Sequence, residues 1–186
     1  MSSSPVLLDV ASHLTDVRFD LRYATSNNIT GRPIYASSTC LLHPDALACL
    51  QRAAHHARLA GYRLLVLDAY RPQAAQERLW ATLPDPRYVR DVRLGSHHTR
   101  GVAVDVTLLD DAGQPLAMGT GFDEMGPAAH PYYPDLPPQI QRNRLLLNGI
   151  MFGAGFVGID SEWWHFELPN AASYPLLNEA TLDVTP

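Results

Sequence analysis

Ser96-His97-His98-Thr99-Arg100-Gly101-Val102-Ala103-Val104-Asp105 is the stretch on which the fold turns. From Val102 through Leu109 the chain is β-rich and apolar enough for a buried strand, while the first half is polar, carries adjacent histidines and ends on glycine. In a flat strand alternate residues share a face, so His98 and Asp105, seven apart, would point to opposite sides. Gly101 supplies the remedy, because glycine permits a bend or bulge between the His98 loop and the strand. Asp105 then points from the strand toward an imidazole that arrives from the loop. The same parity governs Glu162-Trp163-Trp164-His165. Glu162 and His165 are three apart, so Glu162 belongs in the approach to a strand and His165 on the strand itself.

Together the two stretches supply two imidazoles, one carboxylate ligand and one spare carboxylate. That is the inventory of a hydrolytic zinc site, with three protein ligands, an open position for water and a base to deprotonate it. Structural zinc sites are usually closed and rich in cysteine. The predicted ligands are His98, Asp105 and His165, holding one Zn2+ per chain, with Glu162 as the base. His97 adjoins the chosen ligand and is set aside by spacing alone. Taken singly, each histidine has a blander reading as a surface or hydrogen-bonded side chain, and His13, His43, His55, His56 and His130 are assigned to it. Asp105 alone reads equally as a strand-end residue bonded to backbone. Trp163 and Trp164 are read as core packing on either side of the final strand, one of them a candidate for lining a substrate cleft.

Outward from these motifs the chain alternates helices with hairpin-type strands. Pro44 suits a first helical position, Leu47, Leu50, Ala54 and Ala57 recur on one face, and Gly61 follows as a stop. Tyr62 to Tyr70 reads as a buried strand around Leu64-Leu65-Val66-Leu67. It ends at Arg71-Pro72, where Pro72 starts a second helix through about Leu83. Asp110-Asp111-Ala112-Gly113 reads as a hairpin turn into a strand over Gln114 to Met118. A third helix is predicted over Gln139 to Phe152, ended by Gly153 and Gly155, and a final strand over Trp163 to Leu168. The first forty residues read as loop-like. Pro127 to Pro138, with five prolines and two tyrosines, reads as an irregular loop that partly covers the cleft. The fold class expected is α+β: a single domain over residues 1–186, with a central, mostly antiparallel sheet flanked by helices and zinc in a cleft on the sheet.

Bulk properties agree with an ordinary globular enzyme. The chain has 186 residues, 46% hydrophobic and 18% charged, with a formal charge of −5. All fourteen basic residues are Arg and lie scattered, which argues against nucleic-acid binding. Met1 to Asp9 shows no cationic n-region or apolar h-region, and the apolar stretch Leu145 to Ile159 is too short and glycine-broken to span a membrane. Cys40 and Cys49 lack metal-motif spacing and read as free thiols, so a cytoplasmic location is expected. The oligomeric state has no signature.

Ser96, His98, Gly101, Ala103 and Asp105, followed by Glu162, Trp163, Trp164 and His165, form a pattern that resembles the D-alanyl-D-alanine metallopeptidases. That group shares a zinc-binding α+β fold with lysostaphin-type enzymes and the hedgehog signalling domain. The chain is most similar to the vancomycin-resistance-type D-Ala-D-Ala dipeptidases, through Asp20-Leu21-Arg22-Tyr23-Ala24-Thr25, Asp68-Ala69-Tyr70-Arg71-Pro72 and Phe122-Asp123-Glu124-Met125. The resemblance implies His98, Asp105 and His165 as zinc ligands and Glu162 as the catalytic base. It casts Arg71 as the group that polarises the scissile carbonyl and steadies the oxyanion, and places Asp123 and Ser96 at the substrate's free ammonium. His97 stands where the resistance enzymes carry an Arg. The function implied is hydrolysis of a small dipeptide, D-Ala-D-Ala. The rival readings are a D,D-carboxypeptidase acting on longer cell-wall peptides and a non-catalytic zinc-binding interaction module.

Overall fold

The structure, a computed structural model, describes residues 6–178 and 183–185, so the reading of Met1 to Pro5 lies outside the described residues. Two long strands form its centre. Strand β4 (Arg63–Asp68) is the predicted Leu64-Leu65-Val66-Leu67 run, and β5 (Ala103–Leu109) is buried at every position. They pair antiparallel in a five-stranded sheet of order β2 (Arg18–Phe19), β4, β5, β7 (His165–Glu167), β6 (Val157–Gly158). Of these pairings β2 with β4 is parallel and the other three are antiparallel. A second sheet joins β3 (Leu41–Leu42), β1 (Val6–Asp9) and β8 (Asp183–Thr185). The α+β class with a mostly antiparallel sheet is what the sequence indicated.

Helix α2 (Pro44–Leu59) starts on proline and buries Leu47, Leu50, Ala54 and Ala57, while the His43 side chain accepts from the Asp45 N–H and caps it. Helix α3 spans Gln73–Thr82 and α4 spans Pro138–Gly153. One face of the sheet, through Leu64, Val66, Val104, Val106 and Leu108, shares its core with Leu47 and Leu50 of α2 and Leu147 and Met151 of α4. Burying such side chains contributes about 1.5–3 kcal/mol each. The opposite face is left to carry the polar residues of β4, β5 and β7.

Two expectations need correction. The first forty residues are not all loop: β1, a short helix α1 (Val10–His13) and β2 lie there. Their strands are held by partners more than thirty residues away, a long-range pairing that local periodicity does not display. The hairpin after β5 closes with Gly113 at φ 76, but its second arm is a single bridge, Leu109 to Pro115, and not a strand over Gln114 to Met118. Pro115 has no N–H to donate. Beyond it the Ala117 and Met118 carbonyls accept from the Asn143 amide and the Arg144 guanidinium, which draws the segment toward α4.

The anticipated bend is present. His98–Arg100 form a 3-10 turn that ends on Gly101 at φ 70, and the Gly101 carbonyl accepts from His43 N–H at 2.8 Å. A Cβ at Gly101 would stand 2.7 Å from Leu7 Cδ2 and 3.3 Å from His43 N, whereas at Gly113 it would meet nothing within 4 Å. Both glycines sit in the left-handed region, where another residue costs about 1–3 kcal/mol. Gly101→Ala is therefore expected to lower stability by at least about 1 kcal/mol more than Gly113→Ala, the excess being overpacking. Urea midpoints of the two variants check this; equal shifts would show that the bend is not closely packed.

Candidate active site

Register builds the site. On β5, Asp105 lies opposite His165 of β7 and opposite Asp68 of β4, so three side chains stand in a row across the sheet. Asp68 joins the row because β4 carries an irregularity between Val66 and Asp68, which takes up one residue and turns Asp68 onto the face of Asp105. His98 descends onto the same row from the 3-10 turn. His98 Nε2 lies 3.1 Å from His165 Nδ1 and 3.4 Å from Asp105 Oδ1, and His165 Nδ1 lies 3.1 Å from the same oxygen. All three residues are buried, and their ligand atoms lie within 4.8 Å of one another.

Hydrogen bonds on the far side of each ring fix what these atoms present. His98 Nδ1 donates to the Ala69 carbonyl at 2.7 Å, and His165 Nε2 donates to Glu167 Oε2 at 2.9 Å. Each neutral imidazole thus turns its lone pair inward, toward an Asp105 oxygen that is also an acceptor. Three converging acceptors in a buried place repel one another unless a cation lies among them. The donor set fits a divalent ion: two imidazoles oriented by outer partners and one carboxylate, the arrangement in which metal-ligating histidines are held. Burial opposes charge on His165, but the bonds to Asp105 and Glu167 outweigh it and push its pKa up to about 10.

Arg71 flanks the row. Its Nε and Nη2 donate to Asp68 Oδ2 at 3.1 and 2.8 Å, its Nη1 donates to Gln76 Oε1 at 2.9 Å, and the guanidinium lies 4.8 Å from the centre of the Tyr23 ring. Tyr35 OH also donates to Asp68, and Arg71 Nη2 is 3.9 Å from Asp105 Oδ2. Arg71 is buried, and every contact that fixes its plane comes from a buried group.

These residues open onto a cleft of about 200 Å³, lined among others by Tyr23, Arg71, Asp123, Trp164 and Glu162. Drug-sized ligands occupy roughly 300–1,000 Å³, so the cleft suits a small molecule. Glu162 sits ahead of β7, as parity required, and is buried; among the described residues no hydrogen bond to its carboxylate is found. Burial of that unpartnered carboxylate pushes its pKa up to about 8. Asp123 holds a left-handed backbone, φ 62, which Asp tolerates in tight turns. It accepts from Tyr23 OH at 2.9 Å and Ile29 N at 3.3 Å, and burial pushes its pKa up to about 6. Trp164 lines the cleft, whereas Trp163 packs behind it with Nε1 on Thr120. Ser96 is buried, accepts from His98 N at 3.2 Å, and is not among the cleft-lining residues.

The chain matches the family profile described as D-ala-D-ala dipeptidase, of the M15 peptidases, over residues 3–185. The chain belongs to that family. It is 56% identical to the D-alanyl-D-alanine dipeptidase of Escherichia coli (strain K12) over 177 residues, 95% of this chain and 92% of that protein. The D-alanyl-D-alanine dipeptidase of Streptomyces coelicolor is 34% identical over 176 residues, 83% and 87% of the two chains. That of Enterococcus faecalis is 31% identical over 189 residues, 90% and 93%. The M15 membership makes this chain a metallopeptidase, and His98, Asp105 and His165 form a group that could hold its metal.

No residue from Pro127 to Pro138 lines this cleft, whose lining includes residues 86–90, between α3 and the His98 turn. Pro131 and Tyr132 of the proline-rich loop border an adjoining pocket that shares Ile159, Glu162 and His165 with the cleft. The loop is held by backbone carbonyls: the buried Arg144 donates to those of Ala128 and His130, as well as Met118, and Trp163 N–H donates to Ala129 O. Sequence reasoning also passed over Asp68, Gln76 and Glu167. Asp68 and Glu167 had a usable signal, being three before Arg71 and two after His165 on one face of a strand; Gln76 had none. Glu167 bridges His165 Nε2 and His97 Nδ1, at 2.9 and 2.7 Å. Loss of such an outer partner costs about 10–100-fold in metal affinity. Glu167→Gln is expected to weaken metal binding by that factor, measured by competition with a chromogenic chelator; unchanged affinity would show that His165 needs no orientation.

Proposed function

We propose that this metallopeptidase is a zinc-dependent dipeptidase that hydrolyses D-alanyl-D-alanine to two D-alanines. The observation that carries the reading is a free, buried carboxylate, Glu162, lining the same small cleft as three converging metal-ligand atoms. The 56% identity to a D-alanyl-D-alanine dipeptidase along 95% of the chain supports the substrate. Two imidazoles and one carboxylate suit zinc and leave it an open position. A zinc ion bound there would lower the pKa of a coordinated water toward about 7 and polarise a carbonyl.

The protein's own groups divide the remaining work. Glu162 takes a proton from the attacking water and returns it to the leaving amine nitrogen, a role open to a carboxylate that no hydrogen bond occupies. Arg71, held in place by Asp68 and Gln76, faces the carbonyl oxygen on which negative charge develops, and such preset donors are worth a few kcal/mol in the transition state. Asp123 receives the substrate's ammonium, with Tyr23 OH orienting the carboxylate. Ser96 supports the site through the His98 turn on which its hydroxyl is bonded, and any reach to the ammonium passes through that turn. The whole of residues 1–186 acts as one catalytic domain.

The rival readings lose support on three residues. A carboxylate at Asp123, set for a free ammonium, disfavours the acylated N-terminus of a D,D-carboxypeptidase substrate. A zinc-binding interaction module has no use for Glu162 or Arg71. The described residues contain no helix long and apolar enough to cross a membrane. Both cysteines are free and buried, which supports the cytoplasmic reading.

Glu162→Gln is expected to lower kcat by at least about 10²-fold, the lower end of general acid–base contributions, while metal content stays at one per chain. D-Ala-D-Ala should be cleaved, N-acetyl-D-Ala-D-Ala much more slowly, and a chelator should abolish both rates. Equal or faster cleavage of the acetylated compound, or chelator-insensitive turnover, refutes the reading. A second expectation concerns pH. Asp123 must be charged to hold an ammonium, so with its pKa near 6 kcat/KM should fall as pH drops through that value. Asp123→Asn should lower kcat/KM by roughly 10–100-fold, the worth of a charge-assisted hydrogen bond. If the variant matches the wild type at pH 7, Asp123 does not bind the ammonium.

A further inference from the structure

A dipeptide is a zwitterion, and the cleft so far accounts for its ammonium, through Asp123, and its scissile carbonyl, through Arg71. The carboxylate of the leaving residue has no partner. The cations that line the cleft can be taken one at a time. Arg71 is held by Asp68 and Gln76. Arg87 chelates Asp85 at 2.6 Å through Nη2. His98 and His165 face the metal position, and His97 is bonded to Glu167 at 2.7 Å. Arg90 alone remains: it lines the cleft, it is exposed, and no described residue hydrogen-bonds or pairs with its guanidinium.

The local sequence explains why Arg90 is free. Its acidic neighbours in the segment, Asp85 and Asp91, are each chelated by the arginine two positions further on, Arg87 and Arg93. Those two pairings leave the middle arginine without an acid. Its backbone is nonetheless fixed. Val89 is buried in a cluster with Tyr23, Ala75 and Leu79, and the Arg90 carbonyl accepts from Gln76 Nε2 at 2.8 Å. Gln76 also accepts from Arg71, so one amide sets the positions of both arginines.

We propose that Arg90 binds the C-terminal carboxylate of the dipeptide, which makes it a specificity-determining residue for substrates whose C-terminus is free. The assignment rests on the dipeptidase reading above. A guanidinium matches a carboxylate through paired N–H donors, and an exposed side chain on an anchored backbone closes on its ligand without moving the loop. Arg71, Asp123 and Arg90 then bracket a substrate of fixed length, with its oxyanion, ammonium and carboxylate each met by an opposite charge or donor.

The test compares D-Ala-D-Ala with its C-terminal amide in wild type, Arg90→Gln, Arg90→Lys and Arg87→Gln. The wild type is expected to prefer the free acid by at least about tenfold in kcat/KM, the lower worth of a hydrogen bond to a charged group. Arg90→Gln should reduce that preference to about twofold or less, chiefly by raising KM for the acid, and Arg90→Lys should restore part of it. Arg87→Gln, already paired with Asp85, should keep the wild-type preference. Any of three results overturns the assignment: no acid preference in wild type, an unchanged preference in Arg90→Gln, or an equal loss in Arg87→Gln, which would indicate a general field. Absence of wild-type turnover on both compounds would instead sink the dipeptidase reading itself, and the carboxylate site with it.

Discussion

Asp68 and Asp105 stand directly opposite one another on adjacent strands, both buried. Like charges in that position destabilise a sheet, and burial aggravates the repulsion. The fold tolerates the pair because a guanidinium is built in on one side of it and two metal-ligating imidazoles on the other. Arg71 spans the two carboxylates, at 2.8 Å from Asp68 and 3.9 Å from Asp105, and His98 and His165 meet Asp105 from the other flank. Everything else in the site follows from this arrangement. The β4 irregularity exists to put Asp68 in the row, the Gly101 bend exists to lower His98 onto it, and the Glu167 and Ala69 acceptors exist to aim the rings.

Hydrogen-bond partners also explain why the carboxylates of one cleft behave so differently. Asp105 is desolvated, yet the imidazoles around it hold its pKa well below the usual carboxylate range. Glu162 is equally desolvated but bonded to no described residue, and its pKa moves the other way. Asp123 lies between, with burial raising its pKa and Tyr23 OH and Arg71 restraining the rise. Partner count rather than depth decides which carboxylate holds charge permanently and which is able to exchange a proton.

Much of this was legible in the residues. The long helices and both central strands follow from periodicity, because each is an amphipathic or wholly apolar run with a proline or glycine at its end. The parity of His98 with Asp105 and of Glu162 with His165 demanded a bend and an approach segment, and both are present. What periodicity does not encode is pairing between distant segments: the N-terminal strands, the Asp68 row and the Gln76 link to Arg71 and Arg90 depend on register between elements. The seat of the proline-rich loop is hidden for a related reason. Its composition announces irregularity, but its location is set by carbonyls that bond to Arg144 and Trp163, and carbonyls are present in every residue.

Among the described residues Arg144 pairs with no acid. Burial lowers its pKa only to about 10, and its acceptors are the backbone oxygens of Met118, Ala128 and His130. None of those oxygens titrates, so this brace keeps its form from acidic conditions to about pH 10. The cleft is the reverse, because Asp123 and Glu162, both held above the usual carboxylate range by burial, change protonation as the medium changes. The enzyme is thus a reactive face mounted on a pH-indifferent splint, free to trade protons in catalysis without loosening the loops that flank Asp123 and Glu162.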